Sequence, residues 1–298
     1  MNLTTNSINK LMVEPMEFLG HGGGSTTAWD INVNTTIVNG GYDWVIRDNT
    51  FEGGINIGAD SSAHGVVDGL NIIHNNCNNA STSTNPCIQV AQGVGAGNLY
   101  IANNRGGLLG GAVVIKQATD PMLENNQFEQ PTGTGTPGGC MVEFITSFGE
   151  ILNPLLLHNN LNDTSAGAVV CLHDTTSARL EDNTINVPSG KTGITATAGA
   201  TIIPAENVFS GSGSSGIAAT CTSTGLGTGN CTMLGVNFMH SSVVLNPAGT
   251  PSSSGIVTIT WPISIGSTTC PATLRNRGGS WDLRATVRVS TTTGTTCY

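Results

Sequence analysis

One short phrase recurs along this chain and restricts its fold more than any other feature. The phrase reads apolar residue, any residue, polar residue, Asn, as in "VIRDNTF" at 45–51, "MLENNQF" at 122–128 and "RLEDNTI" at 179–185. Anchored on the second amide where two are adjacent, the series is Asn49, Asn76, Asn104, Asn126, Asn160, Asn183 and Asn207, with gaps of 27, 28, 22, 34, 23 and 24 residues. Repeats of about 20–50 residues are typical of solenoids, propellers and arrays.

A second set of short strands lies between these phrases. Examples are "GINIGA" at 54–59, "CIQVAQ" at 87–92, "AVVIKQ" at 112–117, "MVEFIT" at 141–146 and "AVVCLH" at 168–173. Residues with β-branched side chains, Gly and Asn dominate, and no apolar stripe with a helical period persists, which disfavours helices. Strands of successive repeats are therefore expected to pair in parallel, about 4.8 Å apart. The sequence predicts an all-β fold, a single-stranded parallel β-helix whose coils bury a core against their neighbours.

The alternation of side chains along a strand predicts which residues face the core. The expected inward column contains Ile46, Ile73, Ile101, Leu123, Leu157 and Leu180. The second Asn of each phrase is expected at a sharp bend, because Asn tolerates the left-handed backbone conformation. Stacked at one corner of every coil, its amide can bond to the amides above and below, which satisfies a buried polar group.

The pattern changes toward both ends of the chain. After the β-helix at 1–240, longer alternating strands such as "SGIVTITWPI" at 254–263 predict a small C-terminal antiparallel β domain at 241–298. At the other end, "LMVEPMEFLG" at 11–20 already reads as a coil, with Pro15 in place of the Asn. No amphipathic cap precedes this coil, and an open coil exposes a sheet edge. The C-terminal domain and the uncapped first coil are the two surfaces expected to support a homo-oligomer.

The repeats "DWVIRDNTFEG" and "SARLEDNTINV" resemble the right-handed parallel β-helix repeats of the pectate lyase-like superfamily. The resemblance covers roughly residues 10–240, and it implies that the β-helix is right-handed. That superfamily includes lyases, hydrolases, epimerases, phage tailspikes and adhesins, so the resemblance is specific for fold and poor for function. The calcium-binding aspartate cluster of a pectate lyase and the catalytic motifs of a polygalacturonase are not recognisable. No catalytic residue is therefore carried over, no cofactor is identified, and calcium binding is left open.

Charge and hydropathy argue against two classes of partner. The formal net charge is -9, with only ten Lys and Arg in 298 residues. A nucleic-acid partner is not expected, because phosphate binding needs clustered basic side chains. No apolar run reaches the roughly 18 residues that a membrane-spanning helix needs, so no membrane partner is expected either.

Eight cysteines indicate an oxidising compartment. Local spacing suggests the pairs Cys77–Cys87, Cys221–Cys231 and Cys270–Cys297, and leaves open whether Cys140 and Cys171 are bonded or are buried thiols. The expected location is extracellular or at the cell surface. No signal peptide is visible at Met1, so the export signal is expected to lie outside this sequence.

Two sets of outward side chains are candidates for chemistry. In the first set, Glu124, His158 and Glu181 are expected on consecutive rungs, with the carboxylates about 10 Å apart. That distance is near the upper end of the separation in inverting glycosidases, roughly 6.5–9.5 Å. The alternative reading is a solvated ladder of alternating charges that stabilises the stack modestly.

The second set lies on the other strand family and contains Lys116, Glu143 and His173, together with Gln89. By analogy with β-helix enzymes of the resembled superfamily, Lys116 near Glu143 is expected to act as base and charge neutraliser in a uronate lyase. The alternative is a surface ion pair beside an isolated histidine. A register error of one residue would turn every one of these side chains to the opposite face.

Two functions are consistent with these features. The first is an extracellular polysaccharide-active protein that cleaves glycosidic bonds, as a lyase or a hydrolase, in a groove along the β-helix. The alternative is a non-catalytic structural or adhesive rod, such as an adhesin, a surface element or a phage spike shaft. In both readings the expected partner is polysaccharide or another copy of the chain.

Overall fold

The structure is a computed structural model in which the chain is described over residues 1–3, 8–18, 28–33, 41–59, 67–77, 85–91, 96–107, 110–129, 140–145, 151–162, 168–173, 175–176, 178–196, 202–213 and 216. Beyond these, only strands are described, at 220–224, 230–237, 240–246, 256–260, 289–291 and 295–297. The chain divides into two compact units, Met1–Gly216 and Ile217–Tyr298, and each is described by itself. Every helix or strand in the described residues is a β-strand, which confirms the all-β prediction.

Three sheets form the first unit, named A, B and C in the order in which one coil visits them. Sheet A contains Asn2–Leu3, Ile31–Val33, Ile55–Ile57, Ile88–Val90, Val113–Ile115, Cys140–Phe144, Ala168–Leu172 and Thr192–Ala196. Sheet B contains Met12–Val13, Gly41–Arg47, Val67–Ile73, Ala96–Gly97, Tyr100–Ala102, Ala118–Thr119, Met122–Glu124, Ile151–Leu152, Leu155–Leu157, Thr175–Thr176, Ala178–Glu181 and Ile202–Ala205. Sheet C contains Thr50–Phe51, Asn76–Cys77, Arg105–Gly106, Gln127–Glu129, Asn160–Asn162, Thr184–Val187 and Val208–Gly211.

Strands of successive coils pair in parallel in all three sheets, for example Val113–Ile115 with Cys140–Phe144 in sheet A and Gln127–Glu129 with Asn160–Asn162 in sheet C. This arrangement is a parallel β-solenoid, as the repeats predict. Its right-handed sense stays a prediction from the resemblance.

The core is a set of stacked apolar columns, one of which runs along sheet B. Its members are Ile46, Ile72, Ile101, Leu123, Leu156 and Leu180, and each is at most 1% exposed. The predicted inward positions of Ile73 and Leu157 are wrong by one residue, because both pair on the outward column of sheet B. The error arises at "IIHNNCN" and "LLHNNLN", where the first Asn of the pair occupies the ladder and anchoring on the second shifts the strand register by one.

An asparagine ladder runs along the corner between sheets B and C. Its members are Asn49, Asn75, Asn104, Asn126, Asn159, Asn183 and Asn207. From Asn49 to Asn183, each side-chain Nδ2 donates to the Oδ1 of the Asn in the next coil at 2.8–3.0 Å, and Nδ2 of Asn207 donates to the carbonyl of Leu180. The predicted ladder is therefore confirmed, but Asn76 and Asn160 are wrong members, since both are strand residues of sheet C.

The left-handed backbone conformation belongs to the residue before each ladder Asn. This corner column contains Asp48, His74, Asn103, Asn125, His158, Asp182 and Glu206, with φ between 52 and 58°. The prediction that the ladder Asn itself adopts this conformation is wrong. Two neighbouring residues therefore have separate roles. The residue before the ladder Asn forms the bend, and the Asn side chain hydrogen-bonds to the backbone groups that the bend exposes.

The first coil joins the same ladder through its backbone. Met12–Val13 pairs with Val45 and Ile46, and the backbone N–H of Met16 donates to Oδ1 of Asn49 at 2.9 Å. Met16, rather than Pro15 as predicted, therefore stands at the ladder position of this coil.

Two disulfides lie in the first unit, Cys77–Cys87 and Cys140–Cys171, each with a Cα–Cα distance of 5.9 Å. The first confirms the predicted local pair, and the second answers the question that the sequence left open. The predicted pairs Cys221–Cys231 and Cys270–Cys297 involve side chains that lie outside the described residues.

The described part of the second unit contains two small sheets. Thr220–Thr224, Ile256–Thr260, Thr295–Cys297 and Val289–Thr291 form a four-stranded sheet with antiparallel pairing. Asn230–Asn237 and His240–Asn246 form an antiparallel pair. The predicted domain boundary at residue 240 falls within this pair of strands.

Candidate functional site

The outward face of sheet B places the first candidate set in two neighbouring columns. One column runs Arg47, Ile73, Ala102, Glu124, Leu157 and Glu181. Glu124 and Glu181 therefore lie two rungs apart, about 10 Å along the solenoid. The residue between them is Leu157, whereas the sequence placed His158 there. The predicted carboxylate–histidine–carboxylate ladder is wrong, because it carried the same register error of one residue.

Both of these carboxylates already have partners on sheet B. The hydroxyl of Tyr100 donates to Oε2 of Glu124 at 2.7 Å, and this hydrogen bond, with burial and the nearby charge, raises the pKa of Tyr100 to about 12. Glu181 accepts a hydrogen bond from Arg179 on its own strand. Each of these two carboxylates therefore has a hydrogen-bond partner on its own sheet, and their catalytic role stays a prediction.

His158 lies instead in the corner column, beside a carboxylate. Its Nε2 is 3.3 Å from Oδ2 of Asp182 in the next coil, and both side chains are about half exposed, at 48% and 46%. His74 and Asp48 form a similar but looser pair at the other end of the column, with 3.7 Å between Nδ1 and Oδ1. Exposed pairs of this kind contribute little stability, and we assign neither a catalytic role.

The outward face of sheet A brings the second candidate set together. Glu143 pairs in register with Val114 on one side and with Cys171 on the other. Lys116 directly follows the strand Val113–Ile115, and His173 directly follows Ala168–Leu172. Because the strand of Glu143 lies between these two strands, its carboxylate is flanked by a cation on one side and an imidazole on the other. The predicted grouping is present, although Lys116 and Glu143 do not share one column.

The Glu143 carboxylate is unusually buried for an outward side chain. Its side chain is 8% exposed, that of His173 is 31% exposed, and Oε1 lies 3.5 Å from Nε2 of His173. Burial raises the pKa of Glu143, while the charges of His173 and Lys116 oppose that rise. A carboxyl group that holds its proton more tightly than usual, next to an imidazole, can donate a proton and recover it from its neighbour.

Sequence reasoning named Gln89 but missed the other residues that surround this cluster. Cys140, Ala168 and Cys171 form a separate buried group, and Thr195 donates from Oγ1 to Sγ of Cys171 at 3.1 Å. On the other side of Val114, Gln89 donates to Asn56 at 2.9 Å and Asn56 donates to Asn32 at 2.8 Å. The signal was present in the sequence, because each of these amides is the single polar residue inside a short apolar strand.

The outward face of sheet C carries a shallow groove that the sequence reading did not single out. It has a volume of about 230 Å³. We call it the sheet C groove. Its polar lining residues are Gln127, Glu129, Asn160, Asn162, Thr184, Asn186 and Ser210.

Neither a metal centre nor a spanning helix is found in the described ranges. Within them, no three His, Cys, Asp or Glu side chains are grouped so that they could hold a metal ion. No helix there is both long and apolar enough to cross a membrane.

The fold and the geometry of these faces define the class of protein. It is a parallel β-solenoid with an inward asparagine ladder, two disulfides and polar outward faces on sheets A and C. No protein-family model, no curated protein and no solved structure matches this chain. The class therefore rests on the described strands and contacts alone.

Proposed function

We propose that this protein is a polysaccharide-active β-helix protein of the pectate lyase-like type, and that it cleaves a uronate-containing chain by β-elimination on sheet A. The observation that carries this proposal is the buried carboxyl group of Glu143 between Lys116 and His173. Elimination fits this set better than hydrolysis, because hydrolysis in most glycosidases uses two carboxylates on opposite sides of the bond. Only one carboxylate belongs to this cluster among the residues that the structure describes.

The charge of the cluster suits an acidic sugar, although the chain as a whole carries -9. A carboxyl group with a raised pKa retains its proton to higher pH than usual, and Lys116 places a positive charge close enough to act on this carboxyl group. Local charge of this kind attracts a substrate carboxylate within about 10 Å at moderate ionic strength.

The reaction requires one proton to leave the sugar and another to reach the leaving oxygen. In the proposed step, the neutral imidazole of His173 removes the proton from the carbon next to the uronate carboxylate. The electron pair of that C–H bond forms a C=C bond, the bond from the neighbouring carbon to the glycosidic oxygen breaks, and protonated Glu143 protonates this oxygen. Lys116 stabilises the negative charge that develops on the uronate. The contact between His173 and Glu143 then returns the proton and resets both groups.

The test is an assay of the full chain on uronate polysaccharides and on neutral ones, following new reducing ends and the ultraviolet absorbance of the unsaturated product. We expect activity on an acidic chain, with product absorbance rising in step with reducing ends. Glu143→Gln and His173→Ala should each lower kcat by roughly 100-fold or more, which is typical for a general acid or base. Lys116→Met should lower kcat/KM for the same substrate.

Glu124→Gln is the matched control, because Glu124 is a half-buried carboxylate on sheet B that contacts Tyr100 and lies away from the cluster. Its activity should equal that of the unchanged protein. No cleavage of any uronate polysaccharide, or full activity of Glu143→Gln, would overturn the proposal. Reducing ends without product absorbance would replace elimination by hydrolysis.

A non-catalytic rod is the second candidate, and one observation favours it. The outward face of sheet B carries half-buried apolar side chains at Ile73, Met122, Leu155 and Leu157, and apolar surface of this kind is common where proteins associate. A chain that is inactive on all polysaccharides but self-associates in sizing chromatography, and that becomes monomeric on Leu155→Glu, would support the rod. An extracellular location suits both candidates, and the two disulfides are compatible with it.

A further inference from the structure

We infer that the sheet C groove is a binding face for a neutral, hydroxyl-rich polysaccharide. The inference goes beyond the proposed function, because the groove lies on a different sheet from Glu143 and needs no catalysis.

The groove consists of two polar columns that repeat from coil to coil. Gln127, Asn160 and Thr184 are in register in the first column. Glu129, Asn162, Asn186 and Ser210 are in register in the second. Neighbouring rungs are about 4.8 Å apart, and the two columns are separated by about 7 Å, the distance between alternate residues of one strand. The same kinds of hydrogen-bonding group therefore recur along the solenoid axis, which suits a polymer rather than a single small molecule.

Charge defines the ligand as neutral. Six of the seven side chains are amides, hydroxyls or other uncharged groups, and the seventh, Glu129, is an anion. A polyanion such as nucleic acid or a uronate chain would meet this carboxylate, whose own column of Asn162, Asn186 and Ser210 contains no cation. The exposed side chain of Arg105 lies one rung beyond Gln127 in the other column. Amides and hydroxyls each offer a donor and an acceptor, as sugar hydroxyls do.

Shape points to the same kind of ligand. Sites that enclose small molecules usually have about 300–1,000 Å³, whereas this groove has about 230 Å³. Five of its side chains are exposed, and only Asn162 and Asn186 are half-buried. A shallow groove of exposed polar groups contacts one side of an extended chain and leaves the other side in solvent.

The second column is already ordered before any ligand binds. Asn186 donates from Nδ2 to Oδ1 of Asn162 at 2.6 Å, and the hydroxyl of Ser210 donates to Oδ1 of Asn186 at 3.3 Å. These bonds hold the side chains in one direction on a rigid sheet, which lowers the entropy that is lost when a ligand is bound.

The experiment measures binding of the full chain to insoluble cellulose, chitin and mannan, and to soluble pectate and alginate as acidic comparisons. We expect binding to at least one neutral polysaccharide. The double variants Asn160→Ala/Thr184→Ala and Asn162→Ala/Asn186→Ala should each weaken its Kd roughly tenfold, as expected when two hydrogen bonds are lost. Thermal unfolding of each variant confirms that the fold is kept, since the substituted side chains lie outside the core.

Asn76→Ala is the matched control, because Asn76 occupies sheet C but does not line the groove, and its binding should be unchanged. The inference is overturned if no neutral polysaccharide binds, if only the acidic ones bind, or if the control weakens binding as much as the groove variants. Binding by Glu143→Gln at the unchanged Kd separates this face from the proposed catalytic cluster, so failure of one proposal is distinguishable from failure of the other.

Discussion

Replacing Asn159 by Leu tests how much each rung of the asparagine ladder stabilises the solenoid. Asn159 is 2% exposed, and its Oδ1 accepts hydrogen bonds from the backbone N–H of Asn126 at 3.1 Å and from Nδ2 of Asn126 at 2.9 Å. Its Nδ2 donates to the carbonyl of Leu123 and to Oδ1 of Asn183, both at 2.9 Å. Leucine keeps the approximate volume and removes all four bonds.

The groups that hydrogen-bond to Asn159 do not all lose their last partner in this substitution. Nδ2 of Asn126 keeps its bond to the carbonyl of Ile101, and Oδ1 of Asn183 keeps the backbone N–H of residue 159. The backbone N–H of Asn126 and the carbonyl of Leu123 lose the bond that Asn159 gave them. The carbonyl of Leu123 still accepts from the backbone N–H of Leu157 in the parallel ladder of sheet B, so the backbone N–H of Asn126 is the group left without a partner. Such a loss costs about 1–3 kcal/mol, and the free energy of unfolding should fall by about that amount.

The neighbouring residue supplies the control. Asn160 is exposed on sheet C, so Asn160→Leu should change the free energy of unfolding by no more than about 0.5 kcal/mol. Urea denaturation of both variants, with the disulfides intact and compared at equal denaturant slope, measures the difference. Equal stabilities of the two variants, or a greater loss in Asn160→Leu, would show that the ladder does not stabilise the fold in the way described.

Three further predictions concern the disulfides and two ionisable groups. Replacing both cysteines of Cys140–Cys171 by Ser should lower the free energy of unfolding by about 4 kcal/mol, and the same change at Cys77–Cys87 by about 3 kcal/mol. The first loss is larger because the entropy of the closed loop grows with the sequence separation, which is 31 residues against 10. Calorimetry of the two double variants checks which one is less stable. The hydroxyl of Tyr100 should titrate at about 12 rather than 10.0, and Glu124→Ala should return its pKa toward 10.0, as measured by ultraviolet absorbance. Burial raises the pKa of Glu143 above its ordinary value of 4.5. The folded state therefore holds this proton more tightly than the unfolded chain, and the stability from this group falls as the pH rises from about 4.5 through the raised pKa. Glu143→Gln should remove that dependence, and equal pH profiles of the two proteins would contradict it.

Much of the fold follows from the sequence because the repeated signal is physically strict. An apolar residue three positions before an Asn at intervals of one coil leaves few architectures that bury both, and the parallel solenoid is the one observed. The register was harder to predict at "IIHNNCN" and "LLHNNLN", where two apolar residues precede two amides. Residue type does not distinguish Asn75 from Asn76, since both are Asn. The hydrogen bonds that Asn75 makes with Asn49 and Asn104 show that Asn75 is the buried member of the ladder.

The candidate site was predictable in part for the same reason. Glu143 and His173 could be grouped because both belong to apolar strands of the same sheet. Local sequence carries no signal for the burial of Glu143 or for its register pairing with Cys171, because Cys171 belongs to the strand of the next coil. The sheet C groove escaped notice because its residues are common surface types, whose alignment becomes visible only when the coils are stacked.

The ladder also gives every coil the same hydrogen-bonding groups at this corner. Every rung offers the same donor and the same acceptor in the same direction: Nδ2 of Asn104 donates to Oδ1 of Asn126, and Nδ2 of Asn126 donates to Oδ1 of Asn159. Excising the 22 residues from 105 to 126 therefore leaves Asn104 to donate to Asn159 and preserves the chain of amides. The ladder by itself therefore tolerates the loss of a whole coil, whereas the outward faces lose the side chains of that coil, Lys116 of the sheet A cluster among them.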